Sequence, residues 1–293
     1  MAAKPNYPCD LHVHTTASDG GYQVEELVSR AGKMGMQAIA ITDHDTIASI
    51  ERGVSCSAGL ELRVVPGVEL STRERYHVLG YFIDPGAQDL AVYLEWLKER
   101  SWEFMSGLLD RLRAELGLKV TDEELAGRTG AGIPNMVHLL DVMVRRGDFA
   151  GDAEFDSHEV TEFFGDRNFM VNFFRRFALS EPFVDAEGAI ELILSAGGVP
   201  VWAHPMLAEK SEIIRLKGAG LMGLEVNTPK HDLLTRNYLL RICESLNLIP
   251  TGGTDYHGRY FSSIEHGRQI GHCGVDSDLL VRLAGYANAA ASG

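Results

Sequence analysis

Short apolar runs with strand character alternate with stretches of helical period at both ends of this chain. The strand-like runs are Cys9–Val13, Ala38–Thr42, Arg63–Val68, Tyr76–Ile83, Val199–Ala203, Gly223–Val226 and Leu248–Thr251. Helical periodicity predicts helices over Val24–Met34, Ala186–Ala196, Asp232–Ser245 and Ser277–Tyr286. Such alternation builds an α/β domain around a mostly parallel sheet, open or closed. One connection departs from it. Only the polar stretch Thr72–Arg75 separates Glu69-Leu70-Ser71 from His77, and a parallel crossover needs a dozen residues or more. An antiparallel hairpin is predicted there, with Glu69 and His77 close enough to share a site.

The middle of the chain reads differently. Leu90–Leu116, Asn135–Arg146 and the Phe- and Arg-rich Asn168–Leu179 all carry helical spacing, and Pro134 suits a first helical turn. The expected organisation is a barrel made of residues 1–90 and 183–293, with residues 91–182 inserted as a helical cap over its mouth. The Ala-Ala-Ala-Ser-Gly tail is expected to fray.

Composition narrows the class of protein. A chain of 293 residues that is 45% hydrophobic and 23% charged suits a globular domain with a sizeable core. The net charge of −14 opposes binding to long nucleic acid or an anionic membrane, but not to a small anion where bound cations reverse the field. No apolar run is long enough to span a bilayer, and no signal-peptide pattern opens the chain. Cys9, Cys56, Cys243 and Cys273 are scattered without a C-x-x-C pair. A reducing, cytoplasmic setting is expected. Cys9 is better read as a small buried hydrophobe than as a metal ligand.

The candidate chemistry sits where the strands end. Asp10-Leu11-His12-Val13-His14, Thr42-Asp43-His44-Asp45, Ala203-His204-Pro205 and Thr254-Asp255-Tyr256-His257 each contain or follow a strand-like run. In a strand, residues two apart share a face, so His12 and His14 point the same way. Ligands at C-terminal strand ends fit barrel logic. Asp19, in the loop Thr15–Gly21, is placed to reach the same centre. Asp43 and Asp45 have a plainer reading as N-caps of the following helix, Asp45 the better of the two. A single His at a strand end is weak; four such segments together point to a metal site.

These motifs, with Pro66-Gly67-Val68-Glu69-Leu70-Ser71, His77-Val78-Leu79-Gly80-Tyr81, the Gly197–Pro205 run and Gly223-Leu224-Glu225-Val226, resemble the polymerase and histidinol phosphatase (PHP) family of metal-dependent phosphoesterases. The nearest resemblance in layout is to its nucleoside-bisphosphate phosphatases. The resemblance implies a distorted seven-stranded β/α barrel holding three divalent ions. It assigns His12, His14, Glu69 and Asp255 to one ion. Glu69 bridges to a second, completed by His77 and His204, and Asp19, His44 and His257 hold the third. The donor set suits Mn²⁺, Fe²⁺ or Zn²⁺ and does not choose among them; Mn²⁺ is the leading expectation from the resemblance.

The implied reaction is hydrolysis of a small phosphate ester by a metal-bridging hydroxide, without a covalent intermediate. No P-loop and no Gly-x-Ser-x-Gly elbow is present to suggest otherwise. Asp255 belongs to the catalytic set. His257, His204, His138 and His231 are candidate general acids, and Asp43 is expected to orient ligands. Small-molecule family members carry an Arg-x-His segment in the insertion. Here His138 is kept, but Met136 stands at the Arg position. Arg175, Arg176, Lys230 and Arg259 are the candidate replacements for binding phosphate, with His138 and His231 beside them; their plain reading is a solvated surface. Met206 stands where a Gly often follows the His-Pro pair. His158, His266 and His272 fit no role in this scheme.

Nucleoside 3′,5′-bisphosphates, nucleotides and sugar phosphates are the expected substrates, with cyclic ribose phosphates as a first alternative. An exonuclease acting on oligonucleotide ends is a second. A degenerate binding scaffold is the reading from another class, and the nine filled ligand positions oppose it.

Overall fold

The computed structural model describes residues 5–146, 183–206, 208–258 and 269–290. Seven strands form one curled sheet in chain order: β1 (Cys9–Val13), β2 (Ala38–Ile41), β3 (Arg63–Ser71), β4 (His77–Tyr81), β5 (Val199–Trp202), β6 (Gly223–Asn227) and β7 (Ile249–Gly252). The pairs β1/β2/β3 and β5/β6/β7 are parallel. β4 is antiparallel to both β3 and β5, which establishes the predicted hairpin. The curl is drawn together past β7, where His14 N donates to Tyr256 O at 2.9 Å and Tyr256 N to His12 O at 3.1 Å. Gly253 permits this approach, because a Cβ there would lie 2.4 Å from the Cβ of His12. The result is the distorted seven-stranded α/β barrel expected from the sequence.

The strands are buried almost throughout, as parallel strands covered on both faces should be. Helices α1 (Val24–Met34), α2 (Ile50–Ser57), α6 (Ala186–Ser195), α7 (Lys210–Gly218) and α8 (Leu233–Leu246) connect them. The caps follow local chemistry. Asp185 accepts from Gly188 N at 2.9 Å to start α6, and Asp232 from Thr235 N at 2.8 Å to start α8. Side chains from six strands, including Leu11, Val65, Leu79 and Val201, meet Leu280, Leu283 and Ala287 of α9 (Ser277–Ala290) in one apolar cluster. Cys9 lies in that cluster, which supports its reading as a small hydrophobe.

Between β4 and α6 run α3 (Gln88–Leu116), α4 (Asp122–Thr129) and α5 (Met136–Arg146). Leu90 and Leu94 of α3 pack in the sheet-and-helix core, whereas Met105, Leu108, Leu109 and Leu112 join α4 and α5 in a separate cluster. The hand-over between the two cores thus falls inside α3, later than residue 91. Pro134 is not in the first helical turn, as the sequence suggests. Asn135 caps α5 instead, accepting from Val137 N at 2.9 Å and His138 N at 3.2 Å. The expected helix at Asn168–Leu179, and the terminal Ala-Ser-Gly, lie outside the described residues.

Candidate metal centre

Parallel strands deliver their C-terminal ends to one rim, and β4 runs the other way, so its first residue arrives at the same rim. That is how His77, at a strand start, meets His12, His14, His44, His204 and Asp255, which lie at or just beyond strand ends. The register puts His77 opposite Ser71. Ser71 shares a face with Glu69, and the Glu69 carboxylate is 3.0 Å from His77 Nδ1.

Glu69 is the centre of the arrangement and is fully buried. Its Oε2 lies 2.9 Å from His12 Nε2, 3.2 Å from His14 Nε2 and 3.5 Å from His44 Nε2. Its Oε1 lies 3.0 Å from His77 Nδ1 and 3.2 Å from His204 Nε2. Each carboxylate oxygen therefore addresses its own set of imidazoles. Asp255 Oδ1 lies 3.2 Å from His12 Nε2 and 3.0 Å from His14 Nε2. Asp19 Oδ2 is 3.0 Å from His257 Nε2 and 3.8 Å from His44 Nε2. Among the described residues, three groups have donor atoms within 4.8 Å of one another: His12, His14, Glu69 and Asp255; His14, Asp19, His44 and His257; and His44, Glu69 and His77. The first matches the expected grouping, the second adds His14, and the third has His44 where His204 was expected.

The electrostatics show what such a centre requires. Burial alone would raise the pKa values of Glu69, Asp255 and Asp19, but the imidazoles around them hold all three well below the ordinary carboxylate range. Burial would likewise lower His12 and His14. Their carboxylate neighbours win, holding His12 well above 6.5 and lifting His14 to about 10. Protons on these imidazoles thus balance an excess of buried negative charge, the role that cations fill in a metal centre. His44, by contrast, is pulled down to about 3, with burial the largest cause. Its buried Nδ1, and that of His14, have no hydrogen-bond partner among the described residues. A donor set of imidazoles and carboxylates with orphaned nitrogens and surplus anionic charge fits divalent cations.

Outer partners fix how the ligand candidates present themselves. His12 Nδ1 donates to Glu225 Oε1 at 2.9 Å, which turns Nε2 toward Glu69 and Asp255. Glu225 Oε2 accepts from His204 N at 2.9 Å. His257 Nδ1 donates to Asp255 O at 2.8 Å, leaving Nε2 toward Asp19. Glu225 received no role from the sequence; its signal there is a lone carboxylate inside a buried strand. Asp10, also unassigned, accepts from Thr254 N at 2.9 Å, Thr254 Oγ1 at 2.6 Å and Gly271 N at 2.8 Å, tying β1 to the segment after β7. Asp43 accepts from Thr15 N, Thr15 Oγ1 and Ser18 Oγ, each at 2.7 Å, and from Ser49 Oγ. It therefore holds the Asp19 loop rather than an imidazole.

Other residues sit differently from expectation. Asp45 caps no helix; its Oδ1 accepts from Ser71 N at 2.8 Å, and its φ is 52°. His204, Met206 and Asp255 also have positive φ, at 33°, 31° and 53°. Left-handed backbone at non-glycine residues gathered on one rim is strain of the kind that marks functional sites. Lys230 Nζ lies 2.5 Å from Asp255 Oδ2, so it belongs to the centre and not to a solvated surface.

His138 is 1% exposed, and both its nitrogens are engaged. Nε2 donates to Thr16 O at 2.9 Å, and Nδ1 accepts from Asn135 N at 3.3 Å. Neither nitrogen is left for substrate, which corrects its assignment as a general acid. His231 is buried too, its Nδ1 donating to Val226 O at 3.1 Å. His272 is exposed beside Asn6. Arg175, Arg176, Arg259, His158 and His266 lie outside the described residues.

The PHP domain family matches residues 10–229. The chain is 28% identical over 262 residues to a phosphoribosyl 1,2-cyclic phosphate 1,2-diphosphodiesterase of Eggerthella lenta, covering 86% of this chain and 94% of that relative. It is 28% identical to a 3′,5′-nucleoside bisphosphate phosphatase of Chromobacterium violaceum, covering 90% of each. A 5′-3′ exoribonuclease of Haemophilus influenzae is also 28% identical, with 85% of this chain and 89% of the relative covered. The crystal structure of a candidate metal-dependent phosphoesterase from Bifidobacterium adolescentis superposes with a TM-score of 0.75 at 22% identity, over 97% of this chain and 98% of that one. That likeness speaks for the fold.

Proposed function

Since the chain belongs to the PHP family of metal-dependent phosphoesterases, we propose that it hydrolyses a small phosphate ester at a centre of three divalent ions held by His12, His14, Asp19, His44, Glu69, His77, His204, Asp255 and His257. The observation that carries this is the division of Glu69, whose two oxygens address separate groups of imidazoles. When bound, such ions acidify water for attack and offset the charge of the phosphoryl oxygens.

The chain's own residues supply the rest. Glu225 and the Asp255 carbonyl fix the tautomers of His12 and His257. Lys230, on the outer oxygen of Asp255, is the cation best placed to meet a phosphoryl oxygen, in the role left open by Met136. In this reading Asp255 and His204 stand in the reacting region, and His257 acts as a ligand rather than a proton donor, because its Nδ1 is committed to Asp255 O and its Nε2 faces Asp19. Mn²⁺ is the preferred occupant, with Fe²⁺ and Zn²⁺ compatible with the same donors.

The Chromobacterium relative supports a nucleoside bisphosphate or nucleotide, and the Eggerthella relative a cyclic ribose phosphate as the second reading. The net charge of −14 favours small esters over long nucleic acid. No helix among the described residues is long and apolar enough to cross a membrane. The four cysteines are free thiols, which supports a reducing, cytoplasmic setting.

A hydrolysis screen with Mn²⁺, reading free phosphate from monoesters and ring-opened or shortened products from diesters, tests the proposal. It should cover nucleoside 3′,5′-bisphosphates, nucleoside monophosphates, cyclic ribose phosphates, histidinol phosphate and short oligonucleotides. Hydrolysis of at least one small ester is expected. No hydrolysis of any of them, with metal bound, overturns the proposal.

A further inference from the structure

Beside the His77–His204 edge of the centre lies a hollow of about 570 Å³, whose wall includes Tyr76, Trp202 and Met206. Its size lies within the roughly 300–1,000 Å³ typical of pockets that enclose a whole organic ligand, and it is roomier than a bare sugar phosphate needs. The rings of Tyr76 and Trp202 pack with centroids 4.5 Å apart, and because Trp202 is buried, Tyr76 presents the aromatic surface. Met206 is 55% exposed and held at a φ of 31°, a costly way to place a flexible apolar side chain in the open. The rim sets Arg75 against Glu209 and Glu212, and Glu212 is already paired with Arg215 at 2.6 Å. Among the described residues the hollow therefore offers no surplus positive charge to a second phosphate, but it offers aromatic and thioether surface to an uncharged ring.

We infer that this hollow is the subsite for the base of a nucleotide, stacked on Tyr76 and covered by Met206, while the phosphate is held at the Glu69–His77–His204 edge. This rests on the phosphoesterase reading and sharpens it, because a nucleobase becomes the feature that separates good esters from poor ones. Tyr76 directly precedes His77, the first residue of β4, and Trp202, the last residue of β5, lies two residues before His204, so stacking surface and metal edge sit at the same ends of β4 and β5. Met206, on the wall of the same hollow, adds the lid of the stack.

Calorimetric titration of the Mn²⁺-loaded full chain with adenosine and with ribose tests the subsite apart from turnover. Adenosine should bind at least about ten-fold more tightly than ribose, the order expected for one base stack. Tyr76→Leu should remove most of that difference, Tyr76→Phe should keep it, and Met206→Gly should weaken adenosine binding several-fold. Adenosine binding no tighter than ribose overturns the inference, as does adenosine binding unchanged in Met206→Gly. The Met206 arm decides the matter if Tyr76→Leu fails to fold. Adenosine should also inhibit phosphate release competitively. Hydrolysis without adenosine binding sinks the subsite alone, whereas absence of hydrolysis of every ester sinks the phosphoesterase reading.

Discussion

The barrel rim and the helical cap both bury charged side chains, but they settle the charge in opposite ways. In the cap, the Arg128 guanidinium and the Asp141 carboxylate bond directly to each other, and Arg145 adds a second contact to Asp141 at 2.8 Å. The account closes locally, within a cluster built from α3, α4 and α5. Among the described residues of the rim, Glu69, Asp255, Asp19 and Glu225 outnumber the fixed cation Lys230, and protonated imidazoles make up the balance. Charges paired locally leave nothing for an outside ion to neutralise and are costly to break from one side, whereas the surplus at the rim creates a demand for cations. The two regions meet chiefly through backbone. Ile133 N donates to Ala17 O at 2.9 Å and His138 to Thr16 O, and a Cβ at Gly132 would sit 2.0 Å from Ala17 O. Among the described residues, the cap therefore grips the loop that carries Asp19 without lending the centre a side chain.

The strongest attack on this contrast is Glu69→Gln, which keeps the shape and removes the charge that both imidazole groups share. Bound divalent metal should fall by at least half by elemental analysis. Phosphate release should drop at least about a thousand-fold, since losing a ligand costs more than the roughly 10–100-fold cost of disturbing an outer partner. Full metal content in this variant would remove Glu69 from the bridge position. The matching attack on the cap is Asp141→Ala, which strands the Arg128 guanidinium. Breaking a buried pair from one side costs about 3–5 kcal/mol. Denaturant unfolding should show that loss while metal content stays at the wild-type level. A joint loss of stability and metal would mean that the two regions are one energetic unit.

Glu225→Gln probes the rim more gently. The amide can no longer hold the His12 proton as a carboxylate does, so metal affinity should weaken by roughly 10–100-fold, with little change in melting temperature. Competition with a chelator of known affinity reads this directly. Unaltered affinity would show that His12 needs no partner to present Nε2.

What the sequence made legible follows the same divide. Residues whose role depends on strand periodicity were readable: His12 and His14 two apart, His44 and His204 after apolar runs, and Glu69 and His77 across a connection too short to be a crossover. Glu225 was not, because its partners His12 and His204 are 213 and 21 residues away and the carboxylate stands alone in Gly-Leu-Glu-Val. Asp45 looked like a helix cap because Asp before a helix usually is one, and only the left-handed turn at Asp45 turns it toward Ser71. The start of α4 was readable but unread. Thr121 and Glu124 form a reciprocal capping box, a pattern visible in Thr-Asp-Glu-Glu. His138 was found as a residue but given the wrong task, since the carbonyl that claims it belongs to a loop 122 residues earlier.

The finest test lies in that last contact. Burial pulls the pKa of His138 down to about 4, below the roughly 6.5 of an unfolded histidine. A depressed imidazole favours folding fully above 6.5, where both states are neutral. The contribution is lost as pH falls from 6.5 toward 4, because the unfolded chain takes up a proton that the folded one refuses. His138→Gln keeps a donor for Thr16 O and does not titrate. Between pH 7.5 and 6 the wild type should lose about 1 kcal/mol relative to this variant, and more as the pH falls further. Urea unfolding of both proteins across that range measures the difference. A difference that does not change with pH would show that the imidazole is not held neutral between cap and loop, and the grip on the Asp19 loop would then have to rest on Gly132 and Ile133 alone.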